Sequence, residues 1–309
     1  MIGFVVRRVA GALLVLLGAL TIIFVVVRIV PGDPATLILG PGATPAEVAS
    51  LRASLRLDEP LWQQYLSFLG GAARLDFGPS YRLGSSAMSQ VLDRLPATLE
   101  LAGVALLIVL AIGIPLGVAA GRHAGGWRDR AVSAIAMLGQ AVPAFWVGVM
   151  LILVFSGWLR LLPSGGRGTL AQLVLPSVTL AVTFLGMVTK LVRSGVVEQL
   201  REGYVQTARA KGASPSRVLY GHVVRNSLIP VITVVGLITG VFIGNAVVVE
   251  TVFAWPGVGR LLIDSILYRD YPVVQAAVAV LAVVYLVLNT AVDLLYGVVD
   301  PRVSIVGAR

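Results

Sequence analysis

No cysteine occurs in the chain, which excludes disulfides and every metal site built on thiolates. Histidine is almost absent, with His123 and His222 alone, and no H-E-x-x-H pair exists to hold a catalytic zinc. Lysine is equally scarce: Lys190 is followed by Leu191 and Lys211 by Gly212. Neither supplies the lysine–hydroxyl pair with which a P-loop grips phosphate and magnesium. Charge is scarce as well. Only 13% of the residues are Asp, Glu, Lys or Arg, about half the share of an ordinary soluble domain.

What fills the chain instead is apolar sequence: 57% of its 309 residues are hydrophobic, and the mean hydropathy is +0.92. Uncharged runs appear at Val9–Val27, Leu101–Gly121, Ala131–Leu159, Gly168–Thr189, Asn226–Val249 and Tyr271–Val292. A helix needs roughly 20 apolar residues to cross a bilayer, and a lipid-exposed segment must satisfy its own backbone. The runs are continuous and lack the alternation of a membrane barrel. The fold expected is an all-α integral membrane protein with six transmembrane helices. The first run follows Arg7 and Arg8, as a secretory signal would, but it is too long for one and no small-residue cleavage site closes it. It reads as a retained helix.

The charges orient the helices. With the N-terminus inside, the inner segments collect Arg7, Arg8, Arg122, Arg128, Arg130, Lys190, Arg193, Arg201, Arg209, Lys211, Arg217, Arg225, Arg302 and Arg309. The outer segments hold Asp33, Glu47, Asp58, Glu59, Asp76, Asp93, Glu250, Asp264 and Asp270. Short-loop Lys and Arg set orientation, so both termini are expected in the cytoplasm. Positive-inside topology and anionic lipid account for the net charge of +9 without any nucleic acid. The expected division is 1–30 (N-terminal end and first helix), 31–96 (a small extracytoplasmic segment between helices one and two) and 97–309 (the helical core). Within 31–96, TPAEVASLRASLRL has a helical pattern whose Thr44 and Pro45 suit a cap and first-turn pair. Pro115, Pro143, Pro176 and Pro230 fall in or near four helices, where proline tends to kink.

One inner segment, about 198–225, interrupts the apolar pattern with GYVQTARAKGASPSRVLYGHVVRNSLIP at 203–230. Good helix formers from about Glu198 to Lys211 end at Gly212, a natural left-handed terminator. Ser214-Pro215 then reads as an N-cap and first-turn proline starting a second helix toward Asn226. Ala208 and Ala210 offer a small-residue surface for close approach by another protein. Arg209, Lys211 and Arg217 would meet solvent, lipid headgroups or acidic side chains. On these features alone, a docking handle and an interfacial helix resting on anionic lipid are equally served.

The chain carries PGDP at 31–34, LDFGPSY at 75–81, PAFWVG at 143–148, YVQTARAKG at 204–212 and HVVRNSLIP at 222–230. It continues in VVVETVFAWPGVGR at 247–260, RDYP at 269–272 and NTAVDLLYGVVDPR at 289–302. In these motifs, their order and their spacing it resembles the membrane subunit of ATP-binding-cassette importers of the peptide/nickel permease family, specifically its B-type member. The resemblance covers nearly the whole length. The resemblance implies that YVQTARAKG is the coupling loop, with Tyr204, Ala208, Ala210, Lys211 and Gly212 contacting a partner ATPase that binds ATP and magnesium. Gln206 and Thr207 replace the first two residues of the general importer signature Glu-Ala-Ala-x-x-x-Gly. Lys190 stands where the family usually has arginine, and Asn245 where it usually has glycine.

The implied partners are a second homologous permease, cytoplasmic ATP-binding-cassette ATPases and an extracytoplasmic substrate-binding protein. The place is the inner (plasma) membrane, multi-pass. The implied cargo is short peptides, with nickel chelates or glutathione as alternatives within the family.

Other polar groups in the apolar runs are candidates for lining a path: Gln140, Thr179, Thr183, Asn245 and Asn289. For each, an interhelical hydrogen bond is the commoner role. Glu250 with Phe253, Trp255 and Pro256 is a candidate outer gate, although its aromatics also suit interface anchors. The chain is expected to be non-catalytic. The G-x-S serines Ser80 and Ser86 fall outside while both histidines fall inside, so no Ser–His pair can form. A self-sufficient carrier or channel is the competing class. Such proteins place ionisable residues at mid-membrane, whereas Glu100, Glu250 and Asp293 read as lying near helix ends.

Overall fold

The structure, a computed structural model, describes residues 2–29, 32–40 and 42–299. Pro31 of the PGDP motif, Pro41, the end of the last motif at 300–302 and Arg309 lie outside them, as do the side chains of Arg7, Arg8 and Asp293. Apart from an isolated bridge between Pro79 and Ser86, every regular element among the described residues is helical. In chain order these are α1 (Ile2–Ile29), α2 (Pro34–Leu39), α3 (Pro45–Ser54), α4 (Leu61–Ala73), α5 (Ala87–Arg122), α6 (Trp127–Ala141) and α7 (Ala144–Leu151). There follow α8 (Leu170–Gln199), α9 (Gly203–Ala210), α10 (Pro215–Val218), α11 (Val224–Ser227), α12 (Ile229–Val252), α13 (Val258–Leu267) and α14 (Tyr271–Val299). Wider π turns continue α7 to Trp158 and join α10 to α11.

The starts of several helices are written locally. Thr44 and Glu47 form a reciprocal capping box at α3, with Pro45 in the first turn. The amide and hydroxyl of Thr44 both donate to the Glu47 carboxylate, at 2.8 and 2.7 Å, and hold its pKa below the usual glutamate range. Thr169 and Gln172 repeat the box at α8, and Asp33 caps α2.

α1, α5, α8 and α14 contain stretches long and apolar enough to cross a membrane. The run Ala131–Leu159, expected as one helix, is instead two arms, α6 and α7 with its π turn, bent by 101°. Pro143 is the reason. A proline drives the preceding residue out of the α region, and Val142 is extended at φ −92°, ψ 128°. Pro115 and Pro176 lie inside continuous α5 and α8, and Pro230 sits in the first turn of α12, so only Pro143 breaks a run. Among the described residues the membrane-length stretches number four, or five with the bent pair; the apolar part of α12 is the shorter Gly240–Val252.

The chain divides into two compact units, 1–97 with 256–286, and 98–255 with 287–309. In the first, Ala87, Met88 and Val91 pack with Val258, Val273, Ala276 and Ala277 in a buried cluster. Phe24 of α1 stacks edge-on with Tyr65 of α4. Arg28 Nε donates to Gln64 Oε1 at 3.0 Å, while Gln64 Nε2 donates to the carbonyls of Leu57 and Glu59. The buried glutamine thus ties the end of α1 to the following segment.

In the second unit, glycines set the helix spacing. A Cβ on Gly117 would lie 2.7 Å from the carbonyl oxygen of Thr189, and one on Gly121 2.9 Å from that of Arg193. Gly113, Gly117 and Gly121 face Val188, Val192 and Val196 in step, so these parts of α5 and α8 run parallel with backbones nearly touching. α6 runs antiparallel to α8: Gly186 has the Ala136 carbonyl against it, and Gly139 faces Val182. Glu100, expected near a helix end, lies well inside α5, because that helix begins at Ala87, before its apolar run.

Candidate functional site

The basic segment forms two short helices across a tight turn. α8 ends at Gln199, and α9 starts at Gly203 rather than at the expected Glu198. The two are separate helices although the intervening residues are good helix formers. At the other end the sequence expectation holds. Gly212 adopts φ 79°, its N–H bonds the Arg209 carbonyl at 2.9 Å, and the Ala213 N–H bonds that of Ala208 at 3.1 Å. This is a Schellman termination, which needs a residue free to enter the left-handed region. Ser214 then caps α10 by accepting from the Arg217 N–H, with Pro215 in the first turn.

Buried Val205, Val218, Leu219 and Val223 anchor the pair of helices, and Ser227 of α11 packs against Gly195 of α8. The outward face carries Gln206, Thr207, Arg209, Ala210, Lys211, Gly212 and Arg217, all exposed, while Ala208 is half-buried. The face is basic. Tyr204 is half-buried, and its hydroxyl donates to Gln199 Oε1 at 2.8 Å, so it braces α9 against the end of α8.

The same side of the second unit holds an ion pair that the sequence reading missed. Asp129, in the first turn of α6 and 4% exposed, accepts from Arg193 through both Nε and Nη2, the latter at 2.7 Å. It also accepts the Gly125 N–H at 2.8 Å and the Ser133 hydroxyl at 3.4 Å.

The candidate gate residues come together at the other end of α12. Glu250, Phe253 and Trp255 are fully buried, and Pro256 is half-buried. Thr98 Oγ1 donates to Glu250 Oε1 at 2.6 Å, and the Trp255 N–H donates to the Glu250 carbonyl at 2.8 Å. Gly166 N–H bonds the Phe253 carbonyl at 3.0 Å, and a Cβ on Gly165 would strike that same carbonyl, so only glycine allows this approach. Arg167 pairs with Glu100 at 2.6 Å and lies 5.9 Å from the Trp255 ring centre.

The path candidates are not gathered into one cluster. Gln140 is exposed beside Gly186, Thr183 and Asn289 are half-buried, and Asn245 bonds back to the Val241 carbonyl of its own helix at 3.0 Å. Thr179 likewise bonds back to Leu175, at 2.8 Å. In the first unit a cavity of about 260 Å³ is lined by Arg82, Asp93, Arg94, Asp264 and Tyr268 among others. None of the candidate coupling, gate or path residues lines it, although Asp270 of the RDYP motif does.

Apolar helices of membrane length and glycine-mediated helix contacts define a multi-pass membrane protein with an exposed basic loop. Residues 113–305 match the family described as binding-protein-dependent transport system inner membrane component, and residues 1–102 match the description of its N-terminal membrane part. The chain belongs to this family.

It is 36% identical, over 335 aligned positions, to the dipeptide transport system permease protein DppB of Escherichia coli strain K12, with 98% of this chain and 99% of that protein covered. It is 39% identical, over 311 positions, to a putative peptide transport system permease protein of Brucella abortus strain 2308, with the same coverage of each. Among solved structures, the inward-facing MetNI methionine ABC transporter superposes with a TM-score of 0.60 at 20% identity. That match covers 69% of this chain and 97% of that one, and the shared feature is the fold.

Proposed function

We propose that this chain is one half of the translocation path of an ATP-driven importer of di- and oligopeptides, working by alternating access. The observation that carries the reading is the exposed basic helix α9, closed by the Gly212 turn and seated on buried Val205 and Val218. Such an element can receive a push from a soluble partner and pass it to α8 through Tyr204 and Gln199. Identity to peptide permeases over almost the whole chain supports the cargo class.

In this reading ATP and magnesium bind a partner ATPase, whose closure drives α9 and swings the helices between outward- and inward-facing arrangements. A second homologous permease completes the path, an extracytoplasmic binding protein delivers cargo, and both termini are cytoplasmic. Tyr204, Ala208, Ala210, Lys211 and Gly212 make the ATPase contact. Glu250, Phe253, Trp255 and Pro256 close the outer end.

The test is affinity purification in mild detergent from native membranes, with wild type beside Gly212→Trp. An ATPase and a second permease accompany the wild type, and the ATPase is depleted from the variant. A wild-type chain that purifies alone contradicts the reading.

A further inference from the structure

We infer that Asp129 and Arg193 are a positioning pair that makes the coupling loop, the end of α8 and the start of α6 move as one body. This rests on the coupling reading of α9 given above.

The pair sits where the connection is needed. Arg193 lies less than two turns before Gln199, where α8 stops and Tyr204 takes hold. Asp129 lies in the first turn of α6 and is buried, so its charge is met by protein rather than water. Its carboxylate accepts the Arg193 fork, the Gly125 N–H and the Ser133 hydroxyl. A bidentate guanidinium–carboxylate pair fixes orientation as well as distance. A single hydrogen bond or an apolar contact would let α6 slide or roll on α8.

The rest of the interface continues the clamp. Further along the same antiparallel register, Ala136 meets Gly186 backbone-on, and Gly139 meets Val182. On another face of α8, Gly117 and Gly121 hold α5 against Val192 and Val196, flanking Arg193. α5, α6 and α8 are therefore locked together at the end nearest α9. The next yielding point beyond α6 is the 101° break at Val142–Pro143. A displacement of α9 is thereby delivered to that break rather than lost as sliding between α6 and α8. The ion pair ensures that the stroke reaches the path; it contacts neither cargo nor nucleotide.

The experiment uses the whole importer, with both permeases, the ATPase and the binding protein, in proteoliposomes, and reads cargo transported per ATP hydrolysed. Asp129→Asn keeps one acceptor oxygen, enough for the Gly125 N–H, and removes the charge, so the turn can still fold. The expected result is normal assembly and basal ATP hydrolysis, with the transport-to-ATP ratio lower by about five-fold or more. A purely structural role would reduce the amount of complex and leave this ratio unchanged.

An assembled Asp129→Asn complex with the wild-type ratio overturns the proposal. If that variant does not assemble, Arg193→Lys decides: it keeps the charge but loses the fork, and an unchanged ratio there also overturns it. Wild-type complex without ATP-dependent uptake overturns the import reading itself, and the proposal with it. Wild-type uptake with unaltered variants removes the proposal alone.

Discussion

Asp270 holds Ser80 across 190 residues of chain: the Ser80 hydroxyl donates to one carboxylate oxygen and the Tyr81 N–H to the other, at 3.0 Å. The Ser80 oxygen in turn accepts the N–H groups of Arg82 and Leu83. Two motifs that look unrelated in sequence, LDFGPSY and RDYP, are thus two sides of one buried knot in the first unit.

Asp270→Ala leaves a buried hydroxyl and a backbone N–H without their acceptor. The expected cost is about 1–3 kcal/mol, read as a lowered melting temperature of the purified protein in detergent. Asp270→Asn, which retains an acceptor, loses less. Equal stability of wild type and the alanine variant contradicts the role given to this knot.

Gly117→Leu places a side chain where the Thr189 carbonyl already lies 2.7 Å from a bare Cβ. Helix α5 must move off α8, at a cost of about 1–3 kcal/mol or more. Gly103, with nothing within 4 Å of its Cβ position, is the control on the same helix. Thermal stability in detergent should fall for the first substitution and stay near wild type for Gly103→Ala.

Gly212 has open space around its Cβ position, so the objection to a side chain there is conformational. At φ 79° an ordinary residue costs about 1–2 kcal/mol. Gly212→Ala therefore weakens the α9 turn by strain alone, and Gly212→Trp adds bulk on the exposed face. Both variants should insert into membranes normally, with ATPase retention falling from wild type through alanine to tryptophan.

The Glu47 carboxyl is held below its usual pKa by the Thr44 backbone N–H first and the Thr44 hydroxyl second. A lowered folded-state pKa means the cap's contribution is present above the unfolded-state value and is lost as pH falls through the folded-state value. Titration of Glu47 by NMR in the intact protein should give a midpoint below that of an ordinary glutamate. Thr44→Val, which removes only the hydroxyl's contribution, should move that midpoint part of the way up.

Features that depend on neighbouring residues were legible in the sequence. Thr44 with Pro45, Ser214 with Pro215, and Gly212 are caps and turns whose chemistry is complete within a few positions, and the structure places each as read. The break between Gln199 and Gly203 was not legible, because Glu198 through Glu202 contains no strong helix breaker. The bend at Val142–Pro143 was half legible: proline announced a disturbance, but its size depends on what α6 and α7 pack against.

The pairs Ser80–Asp270 and Asp129–Arg193 carry no local signal at all. Gly113, Gly117 and Gly121, in contrast, recur every fourth position, and that spacing was a readable sign of close helix packing. Among the candidate path residues, Asn245 and Thr179 each bond to a carbonyl of their own helix, a contact that their residue types alone do not announce.

The most direct measurement is uptake of a radiolabelled dipeptide into proteoliposomes containing the chain with its second permease and ATPase, with the binding protein on the cargo side. The account predicts accumulation that requires ATP at the ATPase face and disappears with Gly212→Trp. Accumulation by the chain alone, driven by a proton gradient without ATP, would contradict it.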